Sequence, residues 1–269
     1  MASNRPELLW NTVERLRSLD ATIYAVTDAE ESCVPADAAD GVVPLCWKDG
    51  PEWMGRKSSC VKNIGIARAH QDGKELFWCV DDDLTGDFPA AFTEHMTRLS
   101  VPHETPPHGW ISSIAWNEHL ARGVPYSGRR QRTCALSCGL WTGSHDFDAL
   151  TRLQFKDSEP KPWCFNGFVP SGTLFPVCGM NVAFRREIAG SMFFWPNVGR
   201  FDDIWMGRTA KRECDDRGLL AWCGTPYLHH ERASDPVRSA AGEIRGIALN
   251  EVFTGTITPA LDAWRQLIR

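Results

Sequence analysis

An apolar run that stops abruptly at three consecutive carboxylates, Leu76-Phe-Trp-Cys-Val80 followed by Asp81-Asp82-Asp83, constrains this chain more than any other stretch. The run has the length and the aromatic and β-branched content of a buried strand, and the turn-prone Thr85-Gly86-Asp87 follows it. An acidic cluster is thereby delivered to a strand end. Adjacent carboxylates repel one another and are costly in a dry interior, so water or a divalent cation must offset their charge. Hard oxygen ligands at the carboxyl edge of an α/β sheet suit Mg²⁺ or Mn²⁺ bound together with a diphosphate. The plainer reading is a polar strand-to-loop turn, the commoner fate of a lone Asp-Asp pair. Three in a row directly behind an apolar strand point to a site.

The 269 residues, 43% of them hydrophobic, suffice for a sizeable core. They predict one main α/β domain with insertions over 1–269, read as two parts, 1–100 and 101–253, and a closing helix, 254–269. A net charge of -5 gives no general attraction to polyanions. The one tight basic cluster, Arg129-Arg130-Gln131-Arg132, is too short for a nucleic-acid footprint and either binds a phosphate or faces water. The ten cysteines show no C-x-x-C pair or zinc spacing and often sit inside apolar runs, which predicts reduced thiols in a cytoplasmic protein. The first residues do not form a signal peptide, and no apolar run approaches the ~20 residues needed to span a bilayer.

In chain order, Pro6 to Leu19 reads as a helix that comes first, capped by Ser3 or Asn4. Ala21 to Val26 is a strand ending near Asp28, where α/β proteins commonly bind a nucleotide, although an acidic turn residue reads the same way. Val42 to Trp47 is a further strand. Arg56-Lys57 precedes a helix that Ser58 or Ser59 caps and that runs to about Ala69. Two cations at a helix amino terminus oppose the macrodipole unless an anion sits there, so Arg56 and Lys57 either contact phosphate or point into water. Pro89 to Leu99 reads as helix, Ile111 to Trp116 and Cys134 to Trp141 as strands, and Ser158 to Gly172 as a surface loop. Phe175 to Phe184 is strand-rich and contains Asn181, a side chain that needs partners if buried. Asp202-Asp203 opens a helix, either as ordinary amino-terminal carboxylates or as catalytic ones. Segments 219–222 and 226–228 form the last strand, ending in His229-His230, and a closing helix runs from Pro259 to Ile268. Two histidines at a strand end are able to complete a carboxylate metal site.

Taken together, these groups suit a nucleotide diphosphate held by Mn²⁺ or Mg²⁺, and a reaction that breaks or re-forms the bond between a sugar anomeric carbon and the diphosphate. The chain contains no GxGxxG, P-loop or G-x-S-x-G signature, so dehydrogenase, P-loop kinase and serine hydrolase readings have no support.

Six blocks, met in order, carry a resemblance: Trp78-Cys-Val-Asp-Asp-Asp83, Arg122 to Arg129, Gly139-Leu-Trp141, Gly172 to Phe184, Gly199-Arg-Phe-Asp-Asp-Ile-Trp205 and Tyr227 to Pro236. They resemble successive motifs of the reversibly glycosylated polypeptides, the UDP-arabinopyranose mutases, over most of the chain. The resemblance implies a GT-A-like glycosyltransferase fold, with a mixed central sheet flanked by helices, that binds a UDP-sugar with Mn²⁺ or Mg²⁺ and interconverts pyranose and furanose forms. It places Asp81, Asp83 and His230 at the metal, with Asp82 beside the substrate, and Asp28 at the base. Arg129 matches the arginine that family members glycosylate on themselves. A protonated guanidinium is a poor nucleophile and needs a carboxylate beside it, for which Asp202 or Asp203 is the candidate.

The chain also departs from the family pattern. Family members begin with a strand before the first helix; here the chain opens at Ser3-Asn4-Arg5-Pro6, so either that strand is missing or the given start is late. Cys138 replaces a histidine, and the segment after Met192 is short. Two alternatives therefore stand beside a mutase: transfer of the sugar to a separate acceptor (a small metabolite, a glycan or a modified nucleobase), and a non-catalytic UDP-sugar-binding subunit working with a related partner chain. The sequence leaves open a homo- or hetero-oligomer.

Overall fold

The computed structural model describes residues 2–3, 5–28, 40–56, 58–112, 119–144, 146–154, 165–230, 235–253 and 258–268. The described chain runs β1 (Ala2–Ser3), α1 (Pro6–Leu16), β2 (Ile23–Thr27), β3 (Val42–Cys46), α2 (Lys62–Gln71), β4 (Leu76–Val80), β5 (Leu84–Thr85), α3 (Phe88–Ser100), β6 (Pro102–Thr105), β7 (Arg130–Gly143), α4 (Ala149–Gln154), β8 (Gly167–Phe168), β9 (Asn181–Arg185), α5 (Asp202–Asp216), β10 (Leu220–His230), α6 (Pro236–Val252) and α7 (Pro259–Leu267).

Short polar signals open most of the helices. Ser58 accepts the Cys60 amide and starts the 3₁₀ turn that leads into α2. Asp87 accepts the Ala90 amide at the head of α3, and Thr258 accepts the Leu261 amide at the head of α7. α1 has no side-chain cap, because the Ser3 hydroxyl accepts the Arg5 amide at 2.8 Å and donates to Asp82 instead. The expected order with a helix first is corrected at the same place. Ala2 and Ser3 pair in parallel with Val26 and Thr27, so a two-residue strand precedes α1.

Strands β1, β2 and β3 form a small parallel sheet, and seven strands form a mixed sheet along the path β4-β9-β7-β10-β5, with β6 on β7 and β8 on β10. β9 is antiparallel to both β4 and β7, and β7 is parallel to β10. Hence β4, β7 and β10 point the same way, and their carboxyl ends at Val80, Gly143 and His230 share one edge. Successive residues alternate between two cores, one under α2, α5 and α7 and the other under α1 and α3. Phe77 and Cys79 of β4 face the first, as do Tyr24 and Val26 of β2, while Val80, Ile23 and Ala25 face the second. This mixed sheet flanked by helices is the α/β class expected from the sequence and is consistent with a nucleotide-sugar-binding glycosyltransferase-like fold.

Three elements differ from expectation. β7 is longer than Cys134 to Trp141, because Arg130 to Thr133 also pairs with β6. β10 runs unbroken through both predicted pieces, with a register shift between Gly224 and Leu228. The 17-residue α6 was not anticipated; its Gly242 and Gly246 weaken any helical apolar stripe, and Gly246 is required where a Cβ would meet the Phe201 ring at 2.3 Å. The predicted strand at Ile111 to Trp116 lies mostly outside the described residues. The eight described cysteines are free thiols. No described helix is long and apolar enough to cross a membrane.

Candidate functional site

The acidic triplet emerges from β4 at the shared carboxyl edge, and each carboxylate meets a different partner. Asp81 receives the Lys62 ammonium, which also donates to the Gly179 carbonyl at 2.9 Å. Burial pulls the Lys62 amine down, but Asp81 outweighs it and holds the group protonated. Burial likewise pushes the Asp81 carboxyl up, with Lys62 opposing. Asp82 accepts from the Ser3 hydroxyl and from both sides of the Arg5 guanidinium. Asp83 lies 3.4 Å from Arg5 and 3.7 Å from His230 Nε2, across the β5-β10 pairing. Its Oδ1 is buried and has no hydrogen-bond partner among the described residues.

Asp83 and His230 tune each other. Burial pushes the Asp83 carboxyl up, yet His230 and Arg5 prevail and hold it below the usual carboxylate range. Burial pulls the His230 imidazole down, and Asp83 with the Ser144 carbonyl raises it above its ordinary value. His230 Nδ1 faces the Ser144 carbonyl at 3.3 Å. A proton on Nδ1 donated to that carbonyl leaves the Nε2 lone pair directed at the Asp83 side.

A second acidic pair approaches from α5. Asp203 Oδ2 accepts the Gly179 amide at 2.9 Å, so one residue, Gly179, connects Asp203 to Lys62 and through it to Asp81. Gly179 has to be glycine, since a Cβ there would meet Phe194 at 2.5 Å and Asp203 Cβ at 3.1 Å. Asp202 is buried, and its Oδ2 has no partner among the described residues. Burial, with the neighbouring Asp203 charge added, pushes Asp202 up to about 7. Burial pushes Asp203 up to about 6, and the charges of Asp146 and Asp81 act in the same direction. A helix amino terminus favours carboxylates, but here burial wins, and the pair keeps a proton available near neutral pH.

The other predicted site residues divide. Asp28, at the end of β2, pairs with Arg56 at 3.2 Å, and the Arg56 guanidinium stacks on the Trp47 ring at 3.5 Å. Arg56 therefore neither stands alone nor points into water. Lys57 lies outside the described residues. Asn181 is fully buried, accepting from Trp78 Nε1 at 2.9 Å and facing His95 Nε2 at 3.0 Å, and it donates to the Pro226 and Leu140 carbonyls. It ties β4, β7, β10 and α3 together. Gly139 gives it room, since a Cβ there would meet Asn181 Nδ2 at 2.2 Å.

Arg129 is not brought to this edge. It lies just before β7, whose 14 residues extend about 40 Å along the strand to Gly143. Its guanidinium donates to the Pro125 and Val124 carbonyls, stacks on Tyr126, and pairs with Glu104 at 3.3 Å. The carboxylate beside Arg129 is thus Glu104, which corrects the expectation of Asp202 or Asp203.

Sequence reasoning missed Ser3, Arg5, Trp47, Lys62 and Asp146. The available signal for Lys62 was a lysine set among Cys60, Val61 and Ile64, all of them buried. Among the described residues no group of three His, Cys, Asp or Glu side chains is arranged to hold a metal ion. The nearest approach is the Asp83-His230 pair, whose orphaned carboxylate oxygen and imidazole nitrogen are a donor set suited to a divalent cation.

The model of the reversibly glycosylated polypeptide family matches residues 79–260, two thirds of the sequence. The chain belongs to this family. Similar proteins include UDP-arabinopyranose mutase 1 of Arabidopsis thaliana, 34% identical over 197 residues that cover 66% of this chain and 54% of the relative. UDP-arabinopyranose mutase 2 of Arabidopsis thaliana is 39% identical over 197 residues, covering 66% and 53%. UDP-arabinopyranose mutase 1 of Oryza sativa subsp. japonica shows the same identity and coverage. The chain spans about half the length of these curated relatives. The family match includes the acidic triplet, Asp202, Asp203 and His230, while Arg5, Asp28, Arg56 and Lys62 precede it.

Proposed function

We propose that this protein acts at the anomeric carbon of a UDP-sugar, as a mutase of the kind its relatives are named for, with Mn²⁺ or Mg²⁺ bound beside the diphosphate. The observation that carries this reading is the Asp83-His230 pair at the common carboxyl edge, with a buried carboxylate oxygen that lacks a partner. Asp83 and His230 would hold the cation, while Asp81 is engaged by Lys62 at the same strand end. When bound, the cation supplies positive charge against which the diphosphate leaves.

The remaining roles fall to the chain's own residues. Lys62 holds Asp81 in place and keeps its charge balanced. Arg5, partly exposed beside Asp82 and Asp83, adds a cation at the rim. Asp28 and Arg56, with the Trp47 ring beneath, form the nucleoside end. Asp202 and Asp203 take and return the proton of the sugar hydroxyl that gains or loses the anomeric carbon, a task matched to a carboxyl near neutrality.

A second reading, transfer to a separate acceptor, is favoured by the position of Arg129 at the far end of β7, beside Glu104. Incubation with labelled UDP-arabinopyranose and Mn²⁺ separates the two. Furanose product formed without an acceptor, and retained in Arg129→Ala, supports the mutase. Turnover that needs an added acceptor supports the second reading. Binding without turnover under either condition removes the enzymatic proposal.

A further inference from the structure

Two cysteines meet inside the mixed sheet. β7 and β10 run parallel with Cys138 directly opposite Cys223. Neighbouring strands lie about 4.8 Å apart and opposed side chains share a face, so the two Cα atoms fall within the ~4.4 to 6.8 Å that a disulfide spans. The Cys178 amide lies beside the Cys138 sulfur. Cys178 directly precedes Gly179, so the pair stands next to the residue that Asp203 and Lys62 hold.

The two thiols differ in access. Of the described cysteines only Cys46 and Cys223 are not buried, and Cys46 stands opposite Thr27. Cys223 lies between Cys138 and Gly167 of β8, and a glycine has no side chain to cover it. Cys138, set between Cys223 and Val182, is fully buried. Hydrogen bonding from the Cys138 thiol holds Cys223 below the ordinary thiol range, against burial. The same interaction, with burial added, pushes Cys138 well up. Burial also pushes Cys134, Cys178 and Cys214 up, which leaves them poor nucleophiles. A half-buried thiol that ionises readily, backed by a buried one, matches an attacking and a resolving cysteine.

We propose that Cys138 and Cys223 form a reversible oxidation site for hydroperoxides, closing to a disulfide between β7 and β10. The Cys223 thiolate attacks one peroxide oxygen and the O-O bond breaks. The other oxygen leaves as an alcohol, or as water where the oxidant is hydrogen peroxide, with the proton that Cys223 gave up. Cys223 is then a sulfenic acid. The Cys138 sulfur attacks the Cys223 sulfur, the hydroxyl leaves with the Cys138 proton as water, and the S-S bond forms. The two thiols lose two electrons in all, and the peroxide gains them. The register selects Cys138 as the resolving partner, because no strand has to slide for its sulfur to reach Cys223. A dithiol reductant reverses the change by exchange at the accessible Cys223 sulfur.

Mass spectrometry of the full chain, reduced, treated with hydrogen peroxide and then alkylated, tests this. A peptide linked through Cys138 and Cys223, two hydrogens lighter than its parts and lost on reduction with dithiothreitol, is the expected product. Cys138→Ala should stop at the sulfenic acid, so that Cys223 takes up dimedone, and Cys223→Ala should leave Cys138 a free thiol at the same dose. Circular dichroism shows whether each variant folds, and the parent chain alone decides the case if one does not. Cys223 left as a thiol in the treated parent overturns the proposal, as does a disulfide from Cys223 to any cysteine other than Cys138. Oxidation of Cys138 in folded Cys223→Ala to the same extent as in the parent overturns the assigned order of attack.

Discussion

Asp202 couples protonation to stability. Its carboxyl rises from 3.8 to about 7 on folding, burial being the main cause. The native state therefore binds this proton more tightly than the unfolded chain does. The resulting contribution to stability is fully present below about pH 4 and is lost as pH rises through about 7. Asp202→Asn should flatten that loss, so urea midpoints of variant and parent should differ more at pH 8 than at pH 4, in the variant's favour. Parallel profiles would show that Asp202 does not titrate in this range. Lys62 poses the opposite case, a buried cation whose removal strands Asp81. Lys62→Met should cost about 3 kcal/mol in denaturant unfolding, and adding Asp81→Asn should recover most of it. Equal stability of the single and double variants would mean that Asp81 does not depend on Lys62.

At the scale of elements, α5 presents Asp202 and Asp203 to the site because it approaches the segment before β9 very closely. Gly207 makes this possible, since a Cβ there would meet Val177 Cβ at 2.3 Å. Gly207→Ala should push α5 outward, costing about 2 kcal/mol as overpacking does and loosening the Asp203 contact to the Gly179 amide. Its activity should fall by more than its loss of folded protein explains, which circular dichroism beside turnover would show. Elements with strong local signals were legible in the sequence. The apolar run of β4, the Ser58 cap, and Leu261 and Trp264 of α7 all fold as read. α6 was not legible, because its glycines serve tertiary contacts such as that with Phe201 and dilute its periodicity. Near the shared carboxyl edge, strand ends could be read, and the structure sets Asp83 and His230 there 3.7 Å apart. The pairing of Arg129 with Glu104 was not, because it depends on how β6 lies against β7, and nothing local to Arg129 encodes that registry. Lys62 was hidden for a similar reason, since a lysine on a helix normally faces water and only the packing of α2 against β4 buries this one.

At the scale of the whole molecule, the sheet separates two groups of charged side chains. Asp83, His230 and the α5 carboxylates gather at the carboxyl edge of β4, β7 and β10, and Arg129 with Glu104 stands beyond the opposite end of β7. If the nucleotide sugar and its cation bind at the first edge, their binding energy adds to folding stability by mass action, about 2.7 kcal/mol at a hundredfold excess over Kd. For a chain of this size that is a rise in Tm of roughly 5 to 10 °C. UDP with Mn²⁺ should give that rise, and UDP with a chelator should give a smaller one. Asp83→Asn and His230→Ala should each lose the part that depends on the metal. Arg129→Ala should keep the whole of it, because its guanidinium lies a strand's length away. A metal-dependent rise that survives Asp83→Asn but disappears in Arg129→Ala would move the binding site to the other end of the sheet and take the assigned roles of Asp83 and His230 with it.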